Sequence, residues 1–226
     1  MHETNADDAG GLTTIARRLE ESYGPPGKAR RDPLDELVLT ILSQNTSDTN
    51  RDRAWEELRS RFDDWEHVRG ADRATLEEAI RSAGLAGQKA AAIHGVLEGL
   101  AEERGELDLD HLEGMDDREA LAYLTSFRGV GTKTAACVLC FALRRPVMPV
   151  DTHVDRVSRR LGLVPGGGGA AAAHRVLNEI VPPERRFPLH IQMIRHGREV
   201  CTARSPVCEA CPLEDVCPRV GVGEAA

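Results

Sequence analysis

Apolar residues recur along this chain at the three- and four-residue spacing of amphipathic helices. The segment DPLDELVLTILSQ shows the pattern most fully, with Asp32 as N-cap, Pro33 in the first turn, and Leu34, Leu37, Val38, Ile41 and Leu42 at helical spacing. The pattern recurs at Trp55, Leu58 and Phe62, at Leu76, Ala79, Ile80 and Ala83, and at Ile93, Val96, Leu97 and Leu100. No run alternates as a strand would, so we predict an all-α fold.

The helical period breaks near residue 145. The segment RRPVMPVDTH contains two prolines, and the basic, cysteine-containing third of the chain begins after it. We predict a domain boundary there. The glycine run PGGGGAAAAH, residues 165–174, lacks the Lys-Ser/Thr pair of a phosphate-binding P-loop, so it predicts only a flexible turn that leads into a helix.

Length and hydropathy define the class of protein. The chain has 226 residues, enough for one large domain or two small ones with a sizeable core. No stretch of about 18 apolar residues occurs, and the start, MHETNADDAGG, is acidic and polar where a secretory signal would be basic and then apolar. We therefore expect a globular protein of the cytoplasm that does not contact a membrane, associated with the nucleoid if the cell is prokaryotic.

The formal net charge of −8 argues against a nucleic-acid partner if it is taken as one number. The charge is unevenly distributed, however. Residues 128–219 carry 14 Arg and Lys against 8 Asp and Glu, whereas the rest of the chain carries 15 against 29. An acidic protein with such a basic part is able to present one positive face to a polyanion, although solvated charges also segregate without function.

Four of the six cysteines fall in one short stretch near the end of the chain. Cys201, Cys208, Cys211 and Cys217 have the spacing C-x6-C-x2-C-x5-C. Four thiolates so close together repel one another unless a metal neutralises them, and structural disulfides are rare in cytoplasmic proteins. Only one Cys-x-x-Cys knuckle is present where zinc ribbons have two, so the spacing favours an iron-sulfur cluster, with zinc as the alternative.

The other two cysteines, Cys137 and Cys140, also form a Cys-x-x-Cys pair, but within the apolar segment AACVLCFAL. On an apolar helix a cysteine behaves as a small hydrophobic residue. We predict that this pair belongs to the core and is not a redox site.

The segment GVGTKTA, residues 129–135, places Lys133 directly behind a glycine hairpin and at the start of a helix. Helical patterns on both sides predict a helix, a hairpin and a second helix. The glycines leave backbone amides uncovered, so the hairpin is suited to hold a phosphate oxygen without reading sequence, although a plain tight turn explains the glycines equally well. The partial positive charge at a helix start disfavours the ammonium form of Lys133 and favours the free amine.

Asp151 lies in VDTHVDR, eighteen residues after Lys133 and just before another helical pattern. An ordinary N-cap explains Asp151 alone, and Thr152 with Asp155 forms an alternative capping box. Lys133 and Asp151 together, however, supply an amine nucleophile and a carboxylate, which are the groups needed to attack an electrophilic carbon through a Schiff base.

Three motifs in this order, LTSFRGVGTKTAACVL, VDTH and the four-cysteine pattern, resemble the endonuclease III family of helix-hairpin-helix DNA glycosylases and AP lyases. The resemblance runs from about Leu34 to Cys217. It implies a six-helix domain, residues 33–145, with the helix-hairpin-helix at about 117–143, and a second helical domain, residues 1–32 with 146–226, that carries a 4Fe-4S cluster. It also implies a DNA-binding cleft between the two domains, and we expect a monomer.

The same resemblance implies the chemistry. Lys133 matches the family's nucleophile and Asp151 its catalytic carboxylate, while Cys201, Cys208, Cys211 and Cys217 match the cluster ligands. A lysine at this position distinguishes bifunctional members from related adenine-removing glycosylases, which only remove the base. The expected function is base excision repair: a damaged base is flipped out of double-stranded DNA and excised, and the abasic site is cleaved by β-elimination.

Further positions match residues of the family that contact DNA. Gln44 resembles the glutamine that fills the gap left by the flipped base, Leu85 resembles an apolar wedge on the opposite side, and His153 is the histidine of VDTH. The hairpin contributes Gly129, Val130, Gly131 and Thr132. Gln44, Leu85 and His153 also have purely structural explanations, as a loop residue, a helix-end contact and a first-turn histidine.

Two departures from the family pattern concern the substrate. The hairpin here begins with Phe127 and Arg128 where the family usually has Leu-Pro, and SQNTSD replaces the commoner SAQATD. The expected substrate is an oxidised pyrimidine such as thymine glycol. The alternatives are uracil or another mismatched base, or a DNA damage-binding protein without catalysis.

Overall fold

The computed structural model describes residues 6–27 and 30–223, with side chains from residue 11 onward. Within that part of the chain no β-strand occurs, which confirms the predicted all-α fold. The α-helices are α1 (Ala6–Tyr23), α2 (Pro33–Ser43), α3 (Asp48–Arg61), α4 (Trp65–Gly70), α5 (Arg73–Ala79), α6 (Ala86–Arg104), α7 (Asp117–Ser126), α8 (Thr132–Cys137), α9 (Thr152–Arg160), α10 (Gly169–Ile180) and α11 (Pro183–Glu199).

Two compact units divide the chain. One is the continuous stretch Arg30–Arg145, and the other joins Met1–Ala29 to Pro146–Ala226. The chain passes from one unit to the other between Arg145 and Pro146, within the segment RRPVMPVDTH. The first unit contains the seven helices α2 to α8, one more than the resemblance implies when the six-residue α4 is counted separately.

Helix α2 forms the centre of the unit Arg30–Arg145 and is as the sequence predicted. The Asp32 side chain accepts hydrogen bonds from the backbone N–H groups of Leu34 and Asp35, and Pro33 occupies the first turn. Nearly every residue of α2 from Pro33 to Leu42 is buried, because α3, α6 and α8 pack around it. The end of this central helix is therefore held firmly in the unit.

The unit that joins Met1–Ala29 to Pro146–Ala226 is built on the packing of α11 against α1 and α9. Gly197 allows the close approach of α9, since a Cβ there would lie 3.0 Å from the Cβ of His153. The glycine run leads into α10 as predicted, and Arg159 holds it by donating hydrogen bonds to the carbonyls of Pro165, Gly167 and Gly169. Among the described residues, no helix is both long and apolar enough to span a membrane.

Candidate functional site

A hairpin connects α7 to α8 at residues 127–131. Helix α7 begins with a capping box between Asp116 and Glu119 and ends at Ser126. The carbonyl of its C-cap, Phe127, accepts a hydrogen bond from the N–H of Val130 at 3.1 Å. Gly129 has φ +90°, and a Cβ there would lie 2.7 Å from the Cβ of Ala92 on α6, so both conformation and packing demand glycine.

The hairpin presents backbone rather than side chains. Gly129, Gly131 and Thr132 are exposed, whereas the Val130 side chain is buried in the core. The first amides of α8, like those of any helix, have no intrahelical acceptor, and its N-cap Gly131 has no side chain to accept from them. This turn therefore has N–H donors at the start of α8 that no side-chain cap satisfies.

Phe127 and Arg128, the residues that depart from the family pattern, differ in environment. Phe127 is buried against α6, where a Cβ on Gly99 would lie 2.7 Å from its ring, and it meets Tyr123 edge-on with centroids 5.3 Å apart. Arg128 is exposed on the hairpin. The phenylalanine thus serves packing, and the arginine is the member of the pair that is accessible to a ligand.

Lys133 is the second residue of α8 and is half-buried. An acidic side chain that the sequence analysis did not single out, Glu36 on α2, interacts with it electrostatically. Burial raises the pKa of Glu36, while the charges of Arg31 and Lys133 and a hydrogen bond from Thr40 oppose that rise. Glu36 is 6% exposed, which is unusual for a carboxylate. It lies on the side of α2 opposite the apolar positions predicted from the sequence, so helical periodicity gave no signal of its burial.

Gln44 and Asn45 follow α2 and have different environments. The Gln44 side-chain amide donates to the Gly129 carbonyl at 3.2 Å and to Thr134 Oγ1 at 3.3 Å, so it ties the end of α2 to the hairpin. Asn45 is exposed and has φ +51°, in the left-handed region that asparagine tolerates better than most residues. Asn45, and not Gln44, is thus the residue whose side chain is free of the hairpin at the tip of this loop.

Leu85 stands at a second loop tip of the same unit. Its φ of +50° is left-handed, a conformation that costs a leucine about 1–3 kcal/mol. It is also 50% exposed, one of three large apolar side chains so exposed in the described part of the chain. A strained backbone and an exposed apolar side chain are both unfavourable in the isolated protein, which is typical of a residue placed for a ligand.

Lys89 forms hydrogen bonds to the backbone just before both loop tips, the one at Asn45 and the one at Leu85. The sequence analysis did not identify it. Its ammonium group is buried, and Nζ donates to the Leu42 carbonyl and to the Ala83 carbonyl, both at 2.8 Å. Leu42 lies two residues before Gln44 and Ala83 two residues before Leu85. Burial lowers the pKa of Lys89. One side chain therefore fixes the backbone that leads into both tips.

We expect Lys89→Met to lower the free energy of unfolding by about 2–6 kcal/mol, because two buried carbonyls lose their donor and each such loss costs about 1–3 kcal/mol. Urea unfolding measures the change. The matched control is Arg53→Met, an exposed cation on α3 whose removal should change stability by at most about 0.5 kcal/mol. Equal stability of the two variants would contradict the role given to Lys89.

Asp151 and His153 lie at the start of α9, in the other unit. Asp151 is the N-cap, and its Oδ1 accepts hydrogen bonds from the N–H of His153 at 2.9 Å and of Val154 at 2.8 Å. His153 Nδ1 contacts an Arg156 nitrogen at 3.1 Å, and the same guanidinium donates to the carbonyls of Gly197 and Cys201. Arg156 and the close approach of Gly197 thus fix the position of the His153 ring.

The four clustered cysteines line one cavity of this unit, together with Arg160 and His196. Four thiols around one cavity are the donor set that an iron-sulfur cluster requires.

The surroundings of these thiols also suit such a cluster. Burial raises the pKa of Cys211 and of Cys217, and bound metal would compensate the charge of their thiolates. Donors are available as well, since the N–H of Leu213 lies 3.4 Å from Cys211 Sγ and a guanidinium nitrogen of Arg160 lies 3.3 Å from Cys201 Sγ. The residues present therefore fit a cluster held by Cys201, Cys208, Cys211 and Cys217.

The second cysteine pair behaves as predicted. Cys137 and Cys140 are each 2% exposed on α8 and the π-helical turn Val138–Ala142 that continues it. Burial raises the pKa of Cys140 to about 12, so that thiol is protonated and unreactive at neutral pH. The pair belongs to the core.

Two family models match the chain. Residues 38–183 match the model described as HhH-GPD superfamily base excision DNA repair protein, and residues 201–217 match the iron-sulfur binding domain of endonuclease III. The second match covers all four clustered cysteines, so the predicted iron-sulfur cofactor is confirmed.

Curated relatives agree with these models. Endonuclease III of Thermotoga maritima is 32% identical over 216 residues, which are 94% of this chain and 96% of the relative. A protein of Arabidopsis thaliana, named for a DNA glycosylase, is 39% identical over 193 residues. That alignment takes in 83% of this chain, and the chain spans 65% of the length of the plant protein.

Two solved structures share the fold. One is a non-covalent endonuclease III–DNA complex, with a TM-score of 0.81 and 28% identity over 93% of this chain and 95% of that one. The other is a trapped endonuclease III–DNA covalent intermediate, with a TM-score of 0.79 and 27% identity over 93% and 96% of the two chains.

Proposed function

Because this chain belongs to the endonuclease III family of the HhH-GPD superfamily, we propose that it is a bifunctional DNA glycosylase and AP lyase of base excision repair. The observation that carries the proposal is Lys133, an amine on the first turn of α8 directly behind the exposed backbone of the hairpin. The trapped covalent complex of a structural neighbour supports a covalent route. The proposed substrate is double-stranded DNA with an oxidised pyrimidine of the thymine glycol type.

In the proposed reaction the Lys133 amine forms a bond to C1′ of the damaged nucleotide as the glycosidic bond breaks, and the base leaves with the electron pair of that bond. The proton that the amine loses passes to O4′ as the sugar ring opens to a protonated Schiff base, and the departing base takes a proton from water. Loss of a C2′ proton to water then breaks the bond between C3′ and oxygen, which releases the strand on the 3′ side with the phosphate at its 5′ end. Water hydrolyses the Schiff base and restores the amine.

Asp151 has two proposed tasks in this scheme. Its carboxylate accepts the proton that Lys133 must lose, and its charge stabilises the positive charge that develops on the sugar. Only one carboxylate oxygen is needed for the N-cap, since Oδ1 accepts both of the backbone hydrogen bonds. Oδ2 is therefore available to accept the proton from Lys133 while Oδ1 maintains the N-cap of α9.

The hairpin amides of Gly129, Gly131 and Thr132 are proposed to bind a phosphate of the DNA backbone, and Arg128 to add a charged contact beside them. The Val130 N–H is not included because it donates to the Phe127 carbonyl. We propose Leu85 as the apolar wedge that enters the base stack. For the polar partner we propose Asn45 in place of Gln44, because the Gln44 amide is engaged with Gly129 and Thr134. His153 is proposed as a positioning residue near the DNA rather than a reacting group.

The cluster is proposed to hold the terminal segment in shape. Its four ligands would fix residues 201–217, which also carry Arg204, against α9 and α11. All groups used in this proposal lie on one chain, so a monomer suffices.

A panel of duplexes that differ in one nucleotide tests the proposed substrate. With excess enzyme in single-turnover conditions, we expect base release and strand cleavage at thymine glycol, and slower or no reaction at uracil opposite guanine. The undamaged duplex is the control. Faster base release from the uracil duplex would mean that uracil, and not thymine glycol, is the substrate. Binding of every damaged duplex without base release would favour a non-catalytic damage-binding protein.

A further inference from the structure

Tyr23, at the end of α1, reaches the cluster region through a buried histidine. The Tyr23 hydroxyl lies 2.9 Å from Nδ1 of His196, and Nε2 of the same ring lies 3.7 Å from Cys211 Sγ. His196 is 2% exposed and lines the cavity of the four cysteines. Its backbone carbonyl also accepts a hydrogen bond from the N–H of Cys201 at 2.8 Å. The residue therefore contacts two of the four cysteines, one through its ring and one through its backbone.

Helix α11 holds Tyr23 in place from several sides. The Arg195 guanidinium lies 5.1 Å from the centre of the Tyr23 ring and donates to the Tyr23 carbonyl at 3.2 Å, while Gln192 donates to the carbonyl of Gly24. The tyrosine and histidine rings meet edge-on with centroids 6.0 Å apart. The hydroxyl is thus directed at His196 by contacts that do not depend on the hydroxyl itself.

The direction of each hydrogen bond follows from the chemistry of the acceptor. A cysteine that binds iron is a thiolate, which accepts hydrogen bonds and cannot donate them. Nε2 must therefore carry the ring hydrogen of His196. A neutral imidazole has one such hydrogen, so Nδ1 is left as an acceptor, and the Tyr23 hydroxyl is a donor placed to satisfy it.

We propose that Tyr23 and His196 form a hydrogen-bond relay to the Cys211 thiolate, in which Tyr23 fixes the ring tautomer and His196 stabilises the iron-sulfur cluster and raises its reduction potential. Hydrogen bonds to cluster sulfurs are one of the factors that set these potentials, and partners of ligands affect metal retention. The proposal rests on the cluster and not on the base-excision chemistry, so the failure of one leaves the other testable.

Tyr23→Phe removes only the hydroxyl and keeps the aromatic ring under Arg195. In the purified holoprotein we expect the cluster to be lost roughly ten-fold faster in the presence of a ferrous chelator, as followed by visible absorption. Spectroelectrochemical titration should show a lower midpoint potential. The matched control is Tyr123→Phe, which removes a hydroxyl bonded to Glu103 in the other unit and should change neither value.

A double-mutant cycle with His196→Leu separates the relay from general packing. If Tyr23 acts through His196, Tyr23→Phe changes neither the rate nor the potential further in the His196→Leu background. Where His196→Leu fails to retain a cluster, the comparison of Tyr23→Phe with Tyr123→Phe decides. A Tyr23→Phe protein with the potential and the cluster-loss rate of the control would overturn the relay.

Discussion

Lys133→Gln is expected to abolish strand cleavage and base release on a thymine glycol duplex, with a rate at least roughly 10⁴-fold lower, as is usual when a member of a catalytic unit is removed. The reason is that glutamine has no nucleophilic amine. The Lys133 side chain is only half-buried, so the free energy of unfolding should change by less than about 1 kcal/mol. Single-turnover cleavage and thermal unfolding measure the two effects.

Lys133→Arg is the matched control for charge. A guanidinium keeps the cation but stays protonated at any working pH, so it cannot attack C1′. We expect Lys133→Arg to bind an abasic duplex within a few-fold of the natural protein and to remain as inactive as Lys133→Gln. Substantial cleavage by Lys133→Arg would mean that this side chain contributes charge and that the nucleophile lies elsewhere.

Asp151→Asn is expected to slow base release by roughly 10²–10⁴-fold, the range for loss of a general acid–base group. Asparagine is as good an N-cap as aspartate, so the cap of α9 should survive and unfolding should shift little. The experiment therefore separates the carboxylate from the cap, which Asp151→Ala would remove together. Base release is measured directly, without a step that cleaves the strand.

The control for this substitution is Asp72→Asn, which changes an N-cap of the same type on α5, where Asp72 accepts from the N–H of Thr75. Both variants should have nearly the stability of the natural protein, and only Asp151→Asn should lose activity. If Asp151→Asn keeps its activity, Asp151 is an N-cap and no more.

Local features of the sequence predicted local structure well. The Asp32–Pro33 start of α2 is confirmed, because caps and first-turn prolines act through backbone groups within three residues. The burial of Cys137 and Cys140 followed from their apolar neighbours. The cluster cofactor was recognisable because four ligands lie within one short segment.

Residues that act through distant contacts were not predictable in this way. Lys89 binds a carbonyl 47 positions away, and Tyr23 meets His196 across 173 positions. Asn45 is proposed in place of Gln44 as the polar partner of Leu85 because the Gln44 amide is bonded to the hairpin and the backbone of Asn45 is left-handed. The periodicity of the sequence reveals neither feature. Such features arise from tertiary packing, so the sequence shows which amino acids are present but not which of them come into contact.

The central claim, that Lys133 is the nucleophile, is tested most directly by borohydride trapping on a duplex with one abasic site, followed by mass spectrometry of the digested adduct. Reduction of a Schiff base would fix the sugar covalently to the amine that formed it. The proposed mechanism predicts one adduct, on the peptide that contains Lys133. An adduct on another lysine or on the terminal amine, with Lys133 unmodified, would contradict it.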